Sequence, residues 1–364
     1  DNDYVKAKKR LYMTATPKIY GAEPKKQQEQ GEIVLFSMDD DKIFGKVFHS
    51  INFSTAVKLG SLVDYKVIVL TVSESLLDGT DSLTIGAEGG LSVPNSLKVI
   101  GCWRALSKRD MQGEVSISDD LKPMKRAVGF AQVIEPTSSY DKVSSKAFTA
   151  GFQSVIEDFK ERYVKRAIEE GRSVEDAEIE TKNALVCDTR HIDGSMNATE
   201  KAERLEWLRS EPEENHCKIL FNVRCLSEGV DVPSLDAVLF LSPRKSQVEV
   251  VQTVGRVMRT SRSTNKKRGY VIPIVTPLNI PADAVIDNNK SFEVVWQILR
   301  ALKSIDDDFG AVVDGQLGTI NKDKMEVICL TDDLGRKRTR GSKVKTPGSG
   351  KKRKQGTAKK GRNA

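Results

Sequence analysis

The stretch "ILFNVRCLSEGVDVPSLDAVLFLSP", Ile219–Pro243, sets a polar, acidic turn between two apolar runs. Neither run has a polar face, so as strands they must be covered on both sides, as in a parallel sheet flanked by helices. Burial alone does not call for "SEGVDVP" between them. The turn is therefore a candidate for holding a ligand.

The same alternation extends outward in both directions. "RAVGFAQVIEP" reads as a strand, and Ser144 to Gly171 as a long charged helix. "NALVCDTRHIDG" is a strand ending in a Gly turn, and "NATEKAERLEWLR" a helix with Ala202, Leu205 and Leu208 on one face. "CKILFNV" and "LDAVLFLSP" are strands, "SQVEVVQTVGRVMR" a helix and "GYVIPIVTP" a further strand. Strands that alternate with helices in this way predict an α/β fold with a parallel sheet and helices on both faces. The main domain is expected over residues 61–280, with a Gly- and Ser-interrupted helical insertion near its edge at about 75–122. Residues 1–60, with a strand at "RLYMTATP", read as a separate preceding piece, and 281–335 as a helical extension.

Thirteen of the Lys and Arg residues, and no Asp or Glu, lie in Arg336–Ala364. The net charge of +7 therefore belongs to this tail, and the remainder stands at −6. Its Gly, Ser, Thr and Lys composition offers nothing apolar to offset the entropy of ordering, so 336–364 is expected to be disordered. Cys102, Cys187, Cys217, Cys225 and Cys329 are scattered, without the Cys-x-x-Cys spacing of a zinc site and odd in number for a disulfide framework. A reducing, cytoplasmic setting is expected. Apolar runs such as "YKVIVLTV" are far shorter than the roughly 20 residues that span a bilayer, so no membrane role is predicted.

In open α/β sheets, ligands bind beyond the carboxyl ends of the strands. "TATP", "HIDG", "SEGVDVP" and the approach to "QTVGRVMR" are all expected at that edge. Gly229 permits close backbone approach, Asp231 can accept from hydroxyls, and Ser227 can donate to a phosphate. Gln252, Arg256 and Arg259 fall at i, i+4 and i+7 on one helical face, an arrangement suited to a polyphosphate. Taken singly, a Gly-Val-Asp turn is ordinarily only a turn, and an Arg pair a solvated face. Order and spacing give them weight together. His191 precedes "IDG" at a strand end, where a structural hydrogen bond is the simpler expectation than a phosphate contact. Trp103, Trp207 and Trp296 have apolar neighbours and are expected in the core.

In this order, "TATP", "HIDGSM", "SEGVDVP" and "QTVGRVMR" resemble the later motifs of superfamily 2 helicases and translocases. "PMKRAVGFAQVI", the run from Asn222 to Arg259, and "NNKSFEVVWQILRALKSIDDDF" resemble the helicase-like parts of restriction and phage-defence systems, type ISP enzymes in particular. The resemblance implies the end of a first RecA-like domain followed by a complete second one. It implies that Thr14, Ala15 and Thr16 couple hydrolysis to strand movement, and that Ser227 touches the nucleic-acid backbone. Glu228, Gly229 and Asp231 would meet the nucleotide. Gln252, Arg256 and Arg259 would reach its phosphates, with Arg259 or Arg256 as arginine finger.

ATP and Mg2+ are the implied cofactors, and duplex DNA the implied partner, with nuclease or methyltransferase domains or subunits as further partners. No G-x-x-x-x-G-K-[ST] loop and no acidic box before "TATP" occur in the sequence. In the family both lie upstream, so the magnesium ligands are expected there, none is assigned in this chain, and this stretch alone should be inactive. An RNA helicase of the same superfamily, or a non-catalytic RecA-like binding module, are the competing readings.

Overall fold

The computed structural model describes residues 7–14, 36–73, 91–112, 122–138, 142–224, 232, 234–244, 246–276, 292–306, 308–310 and 323–330. Seven strands lie in one sheet: β1 (Asp64–Val72), β2 (Arg126–Phe130), β3 (Val186–His191), β4 (His216–Asn222), β5 (Ala237–Phe240), β6 (Arg268–Val275) and β7 (Met325–Leu330). Their order is β3-β4-β2-β5-β6-β1-β7. Every pairing in this sheet is parallel. Parallel neighbours cannot be joined by tight hairpins, and the crossovers carry the helices. Among the described residues these are α1 (Asp41–Phe44), α2 (Phe53–Lys58), α3 (Val93–Ser107), α4 (Ser145–Glu169), α5 (Val174–Lys182), α6 (Ala198–Arg209), α7 (Gln247–Val257) and α8 (Glu293–Lys303).

The two faces of β1 show how the sequence builds the layers. Successive strand residues point to opposite sides. Ile68, Leu70 and Val72 enter one core with Trp103 of α3 and with Phe148 and Phe152 of α4. Tyr65, Val67 and Val69 enter the other, with Val254 and Val257 of α7 and Val295, Ile298 and Leu302 of α8. Full burial of each such side chain contributes about 1.5 to 3 kcal/mol, so a strand apolar on both faces is stable only with helices on both. Helix starts are fixed by polar caps: Ser144 accepts from Ala147 N at 3.2 Å, Ser246 from Glu249 N at 3.3 Å, and Asn197 forms a capping box with Glu200.

Several boundaries differ from the sequence reading. The helix within 75–122 is not peripheral: α3 packs on β1, β6 and α4, and twelve of its fifteen residues are buried. The segment 281–335 is not purely helical, because β7 adds an edge strand beside β1. Residues 53–58, expected with the preceding piece, pack on the sheet domain, where Phe53 N donates to Ile305 O at 3.2 Å. Residues 11–14 form no strand, and Leu11 and Met13 are exposed. A strand needs a neighbour for its N–H and C=O groups, and none among the described residues pairs with this segment. Helix α5 is an element that the sequence reading did not anticipate. The basic stretch 336–364 lies outside the described residues.

Candidate functional site

Helix α7 carries the candidate phosphate-facing side chains. Val250, Val251, Thr253, Val254 and Val257 are its buried side, and Gln252, Arg256 and, just past its end, Arg259 remain partly exposed. The helix starts at Ser246, beyond the carboxyl end of β5, and runs back across the sheet. At its far end Val63 N donates to Met258 O at 2.8 Å, and Leu62 forms an antiparallel bridge with Arg259. This places Arg256 and Arg259 at the amino edge of the sheet, next to the start of β1. The approach to α7 is at the carboxyl edge, as expected, but eleven helical residues span roughly 16 Å and carry the arginines away from it. Gly269 makes the close fit possible: a Cβ there would lie 2.4 Å from Val257 O, so only glycine lets the last turn of α7 press on β6.

A mostly apolar recess lies beside this helix, lined by Val128, Phe130, Val232, Leu235 and Val238, with Thr253 and Arg256 as its polar members. Val232 is the centre of "DVP", so the end of the predicted ligand turn meets the arginine helix here. Ser227, Glu228, Gly229 and Asp231 lie outside the described residues, as do Ala15 and Thr16. Thr14 is exposed. The structure therefore gathers Gln252, Arg256 and Arg259 on one side of α7. Among the described residues, no cluster of three or more His, Cys, Asp or Glu is arranged to hold a metal ion.

At the carboxyl edge, His191 ends β3 between two partners. Its Nδ1 lies 3.2 Å from Ser145 Oγ and its Nε2 2.8 Å from Asp193 Oδ2. Asp193 Oδ1 accepts from Ser195 N at 2.7 Å and Ser195 Oγ at 2.5 Å. These bonds, the Ser195 hydroxyl first, pull the Asp193 carboxyl down to about 2. The "HIDGS" turn is thus a closed knot joining β3 to the start of α4, in line with a structural role for His191.

Two cations that sequence reading passed over, the buried Arg244 and the partly buried Lys266, hold described residues on either side of the turn. Arg244 is only 9% exposed, lies over the Phe130 ring at 4.6 Å and donates from Nη2 to Val223 O at 2.6 Å. Burial draws its guanidinium down to about 10. Lys266 donates from Nζ to Val257 O at 2.5 Å and also to Leu235 O. Burial draws it down to about 8. A third unforeseen group is Asp306, fully buried, which accepts from Ser54 Oγ at 2.5 Å, Tyr65 Oη at 2.8 Å and Phe309 N at 3.1 Å. It ties α2 to β1 and to the end of α8. None of these contacts has a local sequence signal, because the partners are distant side chains or main-chain atoms.

Residues 153–261 match the helicase conserved C-terminal domain family. A protein named helicase 22 of Sulfolobus islandicus filamentous virus (isolate Iceland/Hveragerdi) is 31% identical over 99 residues, 27% of this chain and 16% of that protein. Among solved structures, the ATP-dependent type ISP restriction-modification enzyme LlaBIII bound to DNA is 36% identical, with a TM-score of 0.68 over 91% of this chain and 20% of that one. A nuclease-deletion mutant of the type ISP enzyme LlaGI, in complex with a DNA substrate mimic, is 29% identical over 90% of this chain and 16% of that one, with a TM-score of 0.47. The chain thus spans a fifth or less of the length of these relatives. The parallel sheet with α7 is a RecA-like helicase C-terminal domain, similar over most of this chain to the helicase part of a type ISP restriction-modification enzyme.

Proposed function

We propose that this chain is the second motor domain, with the end of the first, of an ATP-dependent DNA translocase or helicase in a restriction-modification or phage-defence system. The observation that carries the reading is the partly exposed face formed by Gln252, Arg256 and Arg259, with Arg256 lining the same recess as Val232. Guanidinium groups fixed on a rigid helix suit charge that develops on a transferred phosphoryl group, which is where most catalysis of that transfer arises. Arg259, or Arg256, serves as the arginine finger, and Gln252 orients beside the phosphates. Glu228, Gly229 and Asp231 contact the nucleotide, while Ser227 and Thr14 to Thr16 couple it to the nucleic-acid backbone.

ATP with Mg2+ would supply the phosphoryl group and its charge neutralisation. The residues of this chain fit the arginine side of that site, and the sequence contains no phosphate loop, so the metal ligands belong elsewhere in the full-length protein. DNA is favoured over RNA because the 36% identical relative is a DNA-bound restriction enzyme. The test is ATP hydrolysis by the full-length protein with duplex DNA, single-stranded DNA or RNA. Stimulation by duplex DNA is expected. Stimulation by RNA alone, or no hydrolysis at all, would overturn the proposal in favour of an RNA motor or a non-catalytic module.

A further inference from the structure

The connection from β4 to β5 enters at the carboxyl edge of the sheet, after Asn222, and leaves at the amino edge, before Ala237. The residues between them include the whole "SEGVDVP" turn, of which Val232 is described. At its entry, Val223 O accepts from Arg244, a residue two positions before the N-cap of α7. The Arg244 guanidinium stacks on Phe130, which stacks in turn on Phe240 at 5.5 Å, so the cation is held by the ends of β2 and β5. The Arg244 backbone N–H is bonded to the Gln297 side chain of α8. At its exit, Leu235 O accepts from Lys266, and the same ammonium holds Val257 O in the last turn of α7. One cation therefore joins each end of the connection to one end of the same helix.

We propose that Arg244 and Lys266 are positioning residues that fix both ends of the connection to α7, so that the turn and the arginine-bearing helix shift as one unit. The proposal rests on the reading of α7 as the phosphate-facing helix. Arg244 is buried, as are the residues Leu235 and Val257 whose carbonyls Lys266 holds, so a carbonyl that loses its cation is left poorly matched against the core. Loss of either cation releases one end of the connection from α7 and leaves the arginines themselves untouched. Turn and helix would then respond separately to their ligands.

The experiment uses the full-length protein with Arg244→Met, Arg244→Lys and Lys266→Met. Each Met variant is expected to lower kcat with saturating duplex DNA about tenfold while KM for ATP moves less than threefold. Arg244→Lys keeps a charged donor within reach of Val223 O and should recover most of the loss. Amide hydrogen exchange is expected to quicken in peptides covering 222–236 and to stay unchanged in β1 and β6. Near-normal kcat in both Met variants, or unchanged exchange over 222–236, would overturn the proposal. So would faster exchange spread through β1 and β6, which marks general destabilisation. If the unsubstituted protein shows no DNA-stimulated hydrolysis, the motor reading fails, and exchange still decides whether the cations anchor the connection.

Discussion

Asp193 gives a stability prediction whose size follows from its contacts. It is 4% exposed and accepts from the Ser195 hydroxyl, the Ser195 N–H and His191. Its carboxyl is lowered from 3.8 to about 2 in the folded protein. A lowered carboxyl contributes stability that is fully present above the unfolded value and is lost as pH falls through the folded one. The shift corresponds to about 2 kcal/mol at neutral pH, with about 1 kcal/mol of it lost between pH 5 and pH 3. Denaturant unfolding of the protein and of Asp193→Asn across that range isolates the effect, since other carboxylates such as Glu211 contribute equally to both. The variant should be less stable by about 2 kcal/mol at pH 6, and the gap should narrow by about 1 kcal/mol by pH 3. Parallel stability curves for the two proteins would refute the claim that the "HIDGS" knot is held by an ionised carboxylate.

Arg259→Ala in the full-length protein should leave ATP binding in place and lower DNA-stimulated kcat by about 10³, the scale for loss of an arginine finger; single-turnover hydrolysis beside nucleotide binding checks it. Gly269→Ala forces a Cβ to 2.4 Å from Val257 O, so the end of α7 must lift from β6. A destabilisation of about 2 to 4 kcal/mol by denaturant unfolding is expected, in the range for overpacking against backbone. The thirteen basic residues of 336–364 are expected to tether DNA without sequence preference. If about five engage phosphates, deleting the segment should flatten the slope of log K against log salt by roughly 4 units, and parallel lines with and without it would refute the tether.

The strands were legible where they have no polar face: "ILFNV" and "AVLFL" can only be buried, and β4 and β5 are interior strands with a neighbour on each side. Helix α7 was legible because one side is core and the other is open, which prints a helical period on the sequence. Helix α3 was expected, but its place in the core was not: α4 covers its outer side, and a helix buried almost all round shows no single apolar face to mark it as core, so it passes for an insertion. Strand β7 escaped because it is an edge, and Glu326, its second residue, paired with Lys66 at 2.7 Å, cuts its apolar run short. The candidate site divides along the same physical line. Gln252, Arg256 and Arg259 could be picked out because a group meant for an outside ligand must share a face with its fellows, and that spacing is written in the chain. Arg244 and Lys266 act on the carbonyls of Val223, Leu235 and Val257, and a carbonyl is the same at every residue. A side chain whose partner is main chain leaves no complementary residue elsewhere in the sequence. The parts that hold a motif in place are therefore harder to read than the motif, although a change in either can disable the same step.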